Sequence, residues 1–504
     1  MTIQPFIKRM KMLRSGDPDL DRAMQAVQQA SNSNIAQVGA IIDELNTLVD
    51  RVELLETGVN ALEDDTEESL IDVVTYGADP TGVNSSNNAI RAAIADLPSH
   101  HARLYFPAGT YTITQNNYIA GIVGLKIYGD GPGITIINHM RPLGEYDDPT
   151  PPTPRAVFHL ENCPSSSVSG MTLDGQWRAT MSRPDHAVSD SGTRSGCLSQ
   201  GCTDLQYHDL EVCGFESEAL YADTGDRMRA YDNYCHDNAY PVINFGGGND
   251  RDCSVTDNKV VDCGYDAVLI TGKGYRVAGN QLLRTGYFGA DPIYLAGEAW
   301  VCEDNIIRDT NMVDANSGLI LASFEGALNT TLNMTGTIRN NVMIDCIFRA
   351  DTRDGLYSGS AVHISCLGNV SGSGNIDIHG NVIVNCGMDN PAYDSTAFSV
   401  VGAVSASVWI HDNVVVKGGR NMTRGVQVFA TVPSNNKIRV GPNMFDSGIT
   451  TPHVFDVTPQ QAPLMSGKPA TAGLYPGYMT FDSSDHKPKW WDGTNWRDAT
   501  GTIV

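Results

Sequence analysis

Long apolar runs and basic residues are both scarce in this chain of 504 residues. No stretch of about 18 apolar residues occurs, and the first residues, MTIQPFIKRMKMLRSGD, lack the apolar region and small-residue cleavage site of a signal peptide. Lys and Arg number 34 against 58 Asp and Glu, a formal net charge of −24. Because phosphate binding needs a basic face, we expect no nucleic-acid partner. From the missing apolar segments we expect no membrane insertion and synthesis in the cytoplasm.

Metal-binding and redox patterns are missing as well. The eleven cysteines include no C-x-x-C pair, and no H-E-x-x-H pattern is present. These absences argue against a disulfide framework and a zinc site, so we predict buried thiols, no metal and no cofactor. Hydrophobic residues make up 41% of the chain and charged residues 18%, which excludes wholesale disorder. The length favours several domains or one repeat array.

A heptad pattern occupies residues 35–69. Its apolar positions are Ile35, Val38, Ile42, Leu45, Val49, Val52 and Val59, with a second column at Ile41, Leu48, Leu55 and Leu62. So wide an apolar stripe favours a trimeric coiled coil over a two-stranded one, and the coil ends in an acidic linker. The alternative is a single amphipathic helix. Residues 1–34 hold five Lys and Arg against three Asp, a net +2, which suggests a separate docking head; a frayed tail is the alternative.

The main domain begins with a β, α, β pattern. The sequence runs through YGADPTG at 76–82, a helix from about Asn87 to Asp96, and YFPAGTY at 105–111. These motifs resemble the N-terminal signature of the pectate-lyase-like right-handed β-helix superfamily. The resemblance implies an entry or cap at 70–140 and an all-β, right-handed parallel β-helix with loop insertions at 141–448. It implies no single activity, since the superfamily hosts hydrolases, lyases, epimerases and inert binders.

An internal repeat supports the solenoid independently. A motif of one hydrophobic residue, two polar residues, Asn and alternating apolar residues returns every 22 to 40 residues. The repeated asparagines are Asn233, Asn258, Asn280, Asn305, Asn341, Asn381, Asn413 and Asn443, with Asp209 expected at the same position of an earlier coil. We predict that each Asn bonds the Asn one coil away. Five residues later, small polar or thiol groups should fill a second inward corner.

A second strand follows each motif, and its alternation assigns the faces. The predicted inward pairs are Leu220/Ala222, Ile243/Phe245, Val268/Ile270, Ile293/Leu295, Leu319/Leu321, Val362/Ile364, Phe398/Val400 and Val426/Val428. The residue between each pair and the residue before each strand are then expected to face solvent. The latter column reads Glu218, Pro241, Asp266, Asp291, Ser317, Ser360, Thr396 and Arg424.

Carboxylates on this face suggest glycoside hydrolysis. Adjacent rungs are ~4.8 Å apart, so Asp266 would lie about 5 Å from Asp291 and roughly 9.6 Å from Glu218. Hydrolysis needs two carboxyl groups ~5 Å apart for retention or ~6.5 to 9.5 Å apart for inversion. We predict Asp266 as the acid or base, with Glu218 or Asp291 as its partner. The predicted substrate-binding residues are Tyr221, Asp223, Tyr294, Glu298 and His363.

Other uses of this face stay open. A solvated acidic surface or a Ca²⁺ site would carry the same column of acids. A lyase would need a base and charge neutralisation, for which His363, Tyr294, Arg284 and Lys273 are available, although they share no common spacing. A glycan-binding adhesin would hold the polymer without cleaving it.

The C-terminal segment, 449–504, reads as a Pro-rich linker and a β-hairpin or small meander. Its pattern, YMTFDSSDHKPKWWDGTNWRDATG, is similar to a tail widespread at the ends of bacteriophage tail spikes and fibres. For Trp490, Trp491 and Trp496 we favour trimer packing over sugar stacking.

The order of segments is that expected of a homotrimeric phage tail spike. The resemblance implies a virion protein that docks on phage tail, baseplate or adaptor proteins through its N-terminus. Its other partner would be a host surface polysaccharide, such as capsule, O-antigen or exopolysaccharide, which the solenoid binds and depolymerises.

Overall fold

The structure, a computed structural model, describes residues 70–139, 155–176, 194–246, 250–286, 291–311, 318–323, 335–348, 359–366, 374–389, 394–402, 407–429, 438–455, 479–482, 487–491 and 496–498. The predicted docking head and coiled coil, residues 1–69, lie outside these ranges, and so does Ser317. The described chain is almost entirely β and forms a right-handed parallel β-helix, as predicted.

One face of the solenoid, which we name sheet 1, is a 12-stranded parallel sheet. Its strands are Asn117–Ala120, Arg155–Glu161, Arg194–Gln200, Leu220–Asp223, Ile243–Phe245, Val268–Lys273, Ile293–Glu298, Gly318–Ser323, Ser360–Cys366, Thr396–Gly402, Arg424–Phe429 and Thr451–Phe455.

Two further stacks, sheets 2 and 3, share two long strands and so form a single 24-stranded sheet. The shared strands are Ser167–Asp174 and Gln206–Cys213. The other strands of sheet 2 are Leu70–Asp72, Arg103–Phe106, Lys126–Gly129, Arg229–Tyr231, Ser254–Thr256, Arg276–Ala278, Trp300–Glu303, Gly336–Arg339, Asn375–His379, Ser407–His411 and Ile438–Val440. Those of sheet 3 are Thr81–Ser85, Gly109–Ile113, Thr135–His139, Tyr234–His236, Lys259–Cys263, Gln281–Thr285, Ile306–Arg308, Val342–Ile344, Val382–Val384, Val414–Val416 and Met444–Phe445.

Few described elements lie outside these sheets. A 3-10 turn, Val73–Tyr76, and an α-helix, Asn87–Ala95, belong to the entry, where the helix was predicted. Ile347–Phe348 pairs with Gly387–Met388. Near the C-terminus, Met479–Asp482, Lys487–Trp491 and Trp496–Asp498 form an antiparallel three-stranded sheet, which agrees with the predicted small meander.

The stacked asparagines form the predicted ladder. The backbone N–H and side-chain Nδ2 of each Asn donate to Oδ1 of the next, for example from Asn258 to Asn280 at 3.0 Å each. The contacts repeat from Asn233 through to Asn443. The tight left-handed turn falls on the residue before each Asn from Asn233 to Asn413, such as Asp232 with φ of 55°. Asp209, with φ of 52°, takes that turn position, so our placement of it in the Asn column is wrong.

The second inward corner also matches prediction. Its members are fully buried and are Asn238, Cys263, Thr285, Thr310, Cys346 and Cys386. All ten cysteines whose side chains the structure describes are buried and free of disulfides. The cysteine content is therefore used for packing along the axis.

The predicted register of sheet 1 holds except at one strand. Ile293 pairs with Ile320, and Ile320 pairs with Val362, so Ile320 takes the position we assigned to Leu319. The residue opposite Asp291 is therefore Gly318. The error arose because Leu319, Ile320, Leu321 and Ala322 are all apolar and all buried, and a run without polar residues carries no period-2 signal.

Candidate functional site

The outward face of sheet 1 carries two columns of side chains in register. The first column is Tyr118, His159, Leu198, Tyr221, Asn244, Leu269, Tyr294, Leu321, His363, Ser399 and Gln427. The second column, two residues further along each strand, includes Glu161, Gln200 and Asp223 on consecutive strands. These columns bring residues from distant parts of the chain onto one surface.

Asp266 and Asp291, two of the predicted catalytic residues, lie at the corner before sheet 1. The N–H of Asp291 donates to Oδ1 of Asp266 at 2.9 Å, and the N–H of Gly318 donates to Oδ1 of Asp291 at 2.7 Å. Only 4% of Asp266 and 7% of Asp291 are exposed. Our prediction that they face solvent is wrong because they have the inward parity of Val268 and Ile293. Each carboxylate caps the backbone of the next coil.

Glu218 lies at the same corner two coils earlier and is half-buried. Its Oε2 accepts a hydrogen bond from the Ser217 hydroxyl. Pro241 occupies the intervening coil. At this corner Glu218 is thus separated from Asp266 by Pro241, whose side chain has no hydrogen-bond donor. The catalytic roles predicted for Glu218, Asp266 and Asp291 stay predictions.

The protonation of Asp266 gives a test of its capping role. Burial raises its pKa well above the usual range, the charge of Asp291 adds to this, and the Asp291 N–H opposes it. An acid whose pKa is raised by folding stabilises the fold below its unfolded pKa, and that contribution is lost as pH rises toward the folded pKa. We therefore expect Asp266→Asn, which keeps the acceptor, to raise the thermal midpoint at pH 7 by about 2 °C and to leave it unchanged at pH 3.5.

Thermal melting of both proteins at the two pH values measures this difference. Asp304→Asn is the matched control, since Asp304 lies at an exposed turn and its substitution should give no pH-dependent gain. A lower midpoint for Asp266→Asn at pH 7 would contradict a neutral, capping Asp266.

A second cluster of polar and aromatic residues lies on the early strands of the outward face. The Tyr118 hydroxyl donates to Oε2 of Glu161 at 2.5 Å, and the Tyr118 ring meets the His159 ring edge-on at 5.1 Å. Glu161 and Asp223 flank Gln200 in register, which separates their backbones by two strand spacings, about 9.6 Å. This arrangement places two carboxylates on one exposed surface.

The electrostatics of the two carboxylates differ. Burial raises the pKa of Asp223, and a hydrogen bond from the Thr224 backbone opposes the rise. Glu161 accepts the tyrosine hydroxyl, and that hydrogen bond raises the pKa of Tyr118. Burial lowers the pKa of His159, and the neighbouring Gln200 side chain and the charge of Glu161 oppose this shift. Burial thus favours the protonated form of Asp223.

The remaining predicted binding residues are dispersed. Tyr221 lies in the strand of Asp223, whereas Tyr294 lies three strands further along. Glu298 forms an ion pair with Lys273 at 2.9 Å, four residues beyond Tyr294. The predicted site residues are therefore not all brought together.

His363 belongs to a separate, buried polar group. Its Nδ1 lies 2.6 Å from the Ser399 hydroxyl, which is 2.8 Å from the Ser360 hydroxyl. Burial lowers the pKa of His363 to about 4. At 5% exposure, His363 offers little surface to a ligand.

Three residues of the early cluster, Tyr118, His159 and Glu161, were missed in the sequence analysis. They precede the first Asn of the ladder, so the repeat gave no register for their strands. The alternation in RAVFHLE, residues 155–161, was the available signal, because Phe158 and Leu160 point inward and His159 and Glu161 therefore point outward.

No group of three or more His, Cys, Asp or Glu side chains among the described residues could hold a metal ion. None of the helices in the described ranges has the length and apolar character needed to span a bilayer.

Residues 70–144 match a family model described as rhamnogalacturonase A/epimerase, pectate lyase-like. The entry segment is thus similar to the pectate-lyase-like family. This match confirms the resemblance found in the sequence and covers the first coils of the solenoid. No curated protein is similar enough to the chain to count as a match.

Solved structures with a similar fold differ widely in sequence. The catalytic unit of a GH87 α-1,3-glucanase from Streptomyces thermodiastaticus shares 15% identity, with 77% of this chain and 71% of that chain covered and a TM-score of 0.42. PfbA, a surface adhesin of Streptococcus pneumoniae, shares 11% identity, with coverages of 77% and 92% and a TM-score of 0.47. Tailspike protein 3 of bacteriophage CBA120 shares 11% identity, with coverages of 88% and 70% and a TM-score of 0.37.

Proposed function

We propose that this protein is a bacteriophage tail spike that binds a host cell-surface polysaccharide and cleaves it by glycoside hydrolysis, with Asp223 and Glu161 as the acid–base pair. The observation that carries the proposal is the register of sheet 1, which puts these two carboxylates two strands apart on an outward face. Two further parts of the proposal rest on the sequence patterns. Residues 35–69 would form the homotrimer, and residues 1–34 would dock on the phage tail.

The spacing suits hydrolysis with inversion. An inverting glycosidase holds its carboxyl groups ~6.5 to 9.5 Å apart so that a water fits between the base and the sugar. The backbone separation of about 9.6 Å allows the side chains to approach within that range. Asp223, whose pKa is raised by burial, would protonate the leaving oxygen, and Glu161 would activate the water.

Aromatic side chains complete the surface. Tyr118 is 48% exposed and lies three strands from Tyr221 in the same column. Their rings offer flat apolar surfaces to the C–H faces of sugar rings. Such a surface fits a neutral or acidic polysaccharide chain lying along the solenoid axis.

The basic residues that a lyase would use are occupied. Arg284 makes two hydrogen bonds of 2.6 Å to Asp262, and Lys273 is paired with Glu298. His363 is buried and its pKa is lowered. These contacts favour hydrolysis over elimination.

One assay separates the alternatives. Purified protein is incubated with a panel of bacterial capsular, O-antigen and exopolysaccharides, and both new reducing ends and the ultraviolet absorbance of unsaturated uronates are followed. New reducing ends without absorbance support hydrolysis, absorbance would identify a lyase, and binding without either product would identify an adhesin.

A further inference from the structure

Sheet 2 carries an exposed tryptophan far from the proposed acid–base pair. Trp409 is 47% exposed in the strand Ser407–His411, although its flanking residues Val408 and Ile410 are fully buried. Its outward orientation follows from the strand alternation. A single exposed aromatic side chain is ordinary, and the fixed geometry and polar surroundings of this ring are what distinguish it.

The indole ring is held in a fixed orientation. It stacks on the ring of His411, with centroids 3.8 Å apart and an interplanar angle of 30°. His411 is itself fixed from both sides, since Nδ1 lies 2.7 Å from Oδ2 of Asp412 and Nε2 lies 2.9 Å from Oδ1 of Asp377. The side chain of His411 is only 12% exposed. Two carboxylates thus hold the imidazole on which the tryptophan rests.

Polar side chains surround the ring. Asp377 and Arg439 lie in register with Trp409 on the two neighbouring strands. His379 lies in register with His411, with ring centroids 5.1 Å apart. Hydrogen-bonding groups of both charge signs therefore flank one flat apolar surface, which is preorganised and loses little freedom when a ligand binds.

The chemistry selects a class of ligand. A protein interface of useful size buries a central apolar patch with depleted charge. Trp409 is instead a single apolar ring among Asp377, His379, His411 and Arg439. A sugar ring has one apolar C–H face, which complements the indole ring, and a rim of hydroxyl groups, which complements the polar side chains around it.

We propose that Trp409, Asp377, His379 and Arg439 form a second, non-catalytic polysaccharide-binding site on sheet 2. The inference rests on the proposed function, because it takes the ligand to be the polymer cleaved on sheet 1. The coil containing Trp409 lies six strands beyond Asp223, about 29 Å along the axis. A polymer bound here is held at high effective concentration near the cleavage site.

The test uses the full chain and the polysaccharide panel printed as an array. Trp409→Ala is expected to weaken binding to the polymer that is bound most strongly by about tenfold, and Trp409→Phe to restore much of it. Met444→Ala, which removes another exposed apolar side chain from sheet 3, should bind as the parent does. In cleavage assays, Trp409→Ala should slow hydrolysis of the polymer but not of short oligosaccharides. Circular dichroism verifies that each variant is folded.

The outcomes are distinct. If Trp409→Ala binds the polymer as the parent does while Asp223→Asn still loses cleavage, the second site is overturned and the proposed function stands. A change in molar mass by light scattering would overturn it in favour of an interface between copies of the chain. If no panel member is bound or cleaved, the proposed function fails and this site fails with it.

Discussion

Replacement of Asp223 by Asn is expected to lower the rate of polysaccharide cleavage on the order of 10³-fold without weakening binding. Asn keeps the shape of the side chain but cannot protonate the leaving oxygen. The alkaline limb of the pH–rate profile should be lost in this variant, because activity falls with rising pH only when a protonated acid is required. Release of reducing ends across a pH series measures both effects.

Companion variants decide between the two carboxylate pairs. Glu161→Gln should reduce cleavage as strongly as Asp223→Asn, since the water would lack its base. Asp266→Asn and Glu218→Gln serve as controls that should retain activity within about threefold. Loss of cleavage in Asp266→Asn together with full activity in Asp223→Asn would instead establish the corner carboxylates, which the sequence alone had favoured, as the catalytic pair.

The sequence predicted the solenoid well because the ladder leaves a direct chemical trace. An Asn that bonds its neighbour through both N–H groups cannot be exchanged for most residues, so it recurs at each coil from Asn233 to Asn443. The register of sheet 1 followed from the same spacing. It failed at Leu319, where four apolar residues in succession admit either parity.

Burial of the candidate site was predicted less well. Asp266 and Asp291 were placed on the surface because the residue before each strand was expected to face solvent, whereas the corner backbone of each following coil needs an acceptor at that point. Glu161 escaped notice because its strand lies before the first Asn of the ladder. The polarity of a residue therefore does not reveal whether its side chain faces a neighbouring coil. That orientation follows only from the register of the strands.

Removal of one central rung of the ladder should destabilise the protein strongly. Oδ1 of Asn305 accepts the N–H and Nδ2 of Asn280 at 3.0 and 2.9 Å, and its Nδ2 donates to Asn341 and to the Val277 carbonyl. Asn305→Ala leaves these buried groups without partners, at about 1–3 kcal/mol for each group left unsatisfied. We expect a loss of about 3–6 kcal/mol in the free energy of unfolding, measured by chemical denaturation.

The end of the ladder supplies the matched control. Asn443 accepts the same two hydrogen bonds from Asn413, but it is half-buried, so water can replace a lost partner. Asn443→Ala should therefore cost clearly less than Asn305→Ala, although the two substitutions delete identical atoms. Equal losses would show that the asparagines contribute only locally. A larger loss at the centre would show that the strength of each rung is set by its burial inside the stack and not by the asparagine itself.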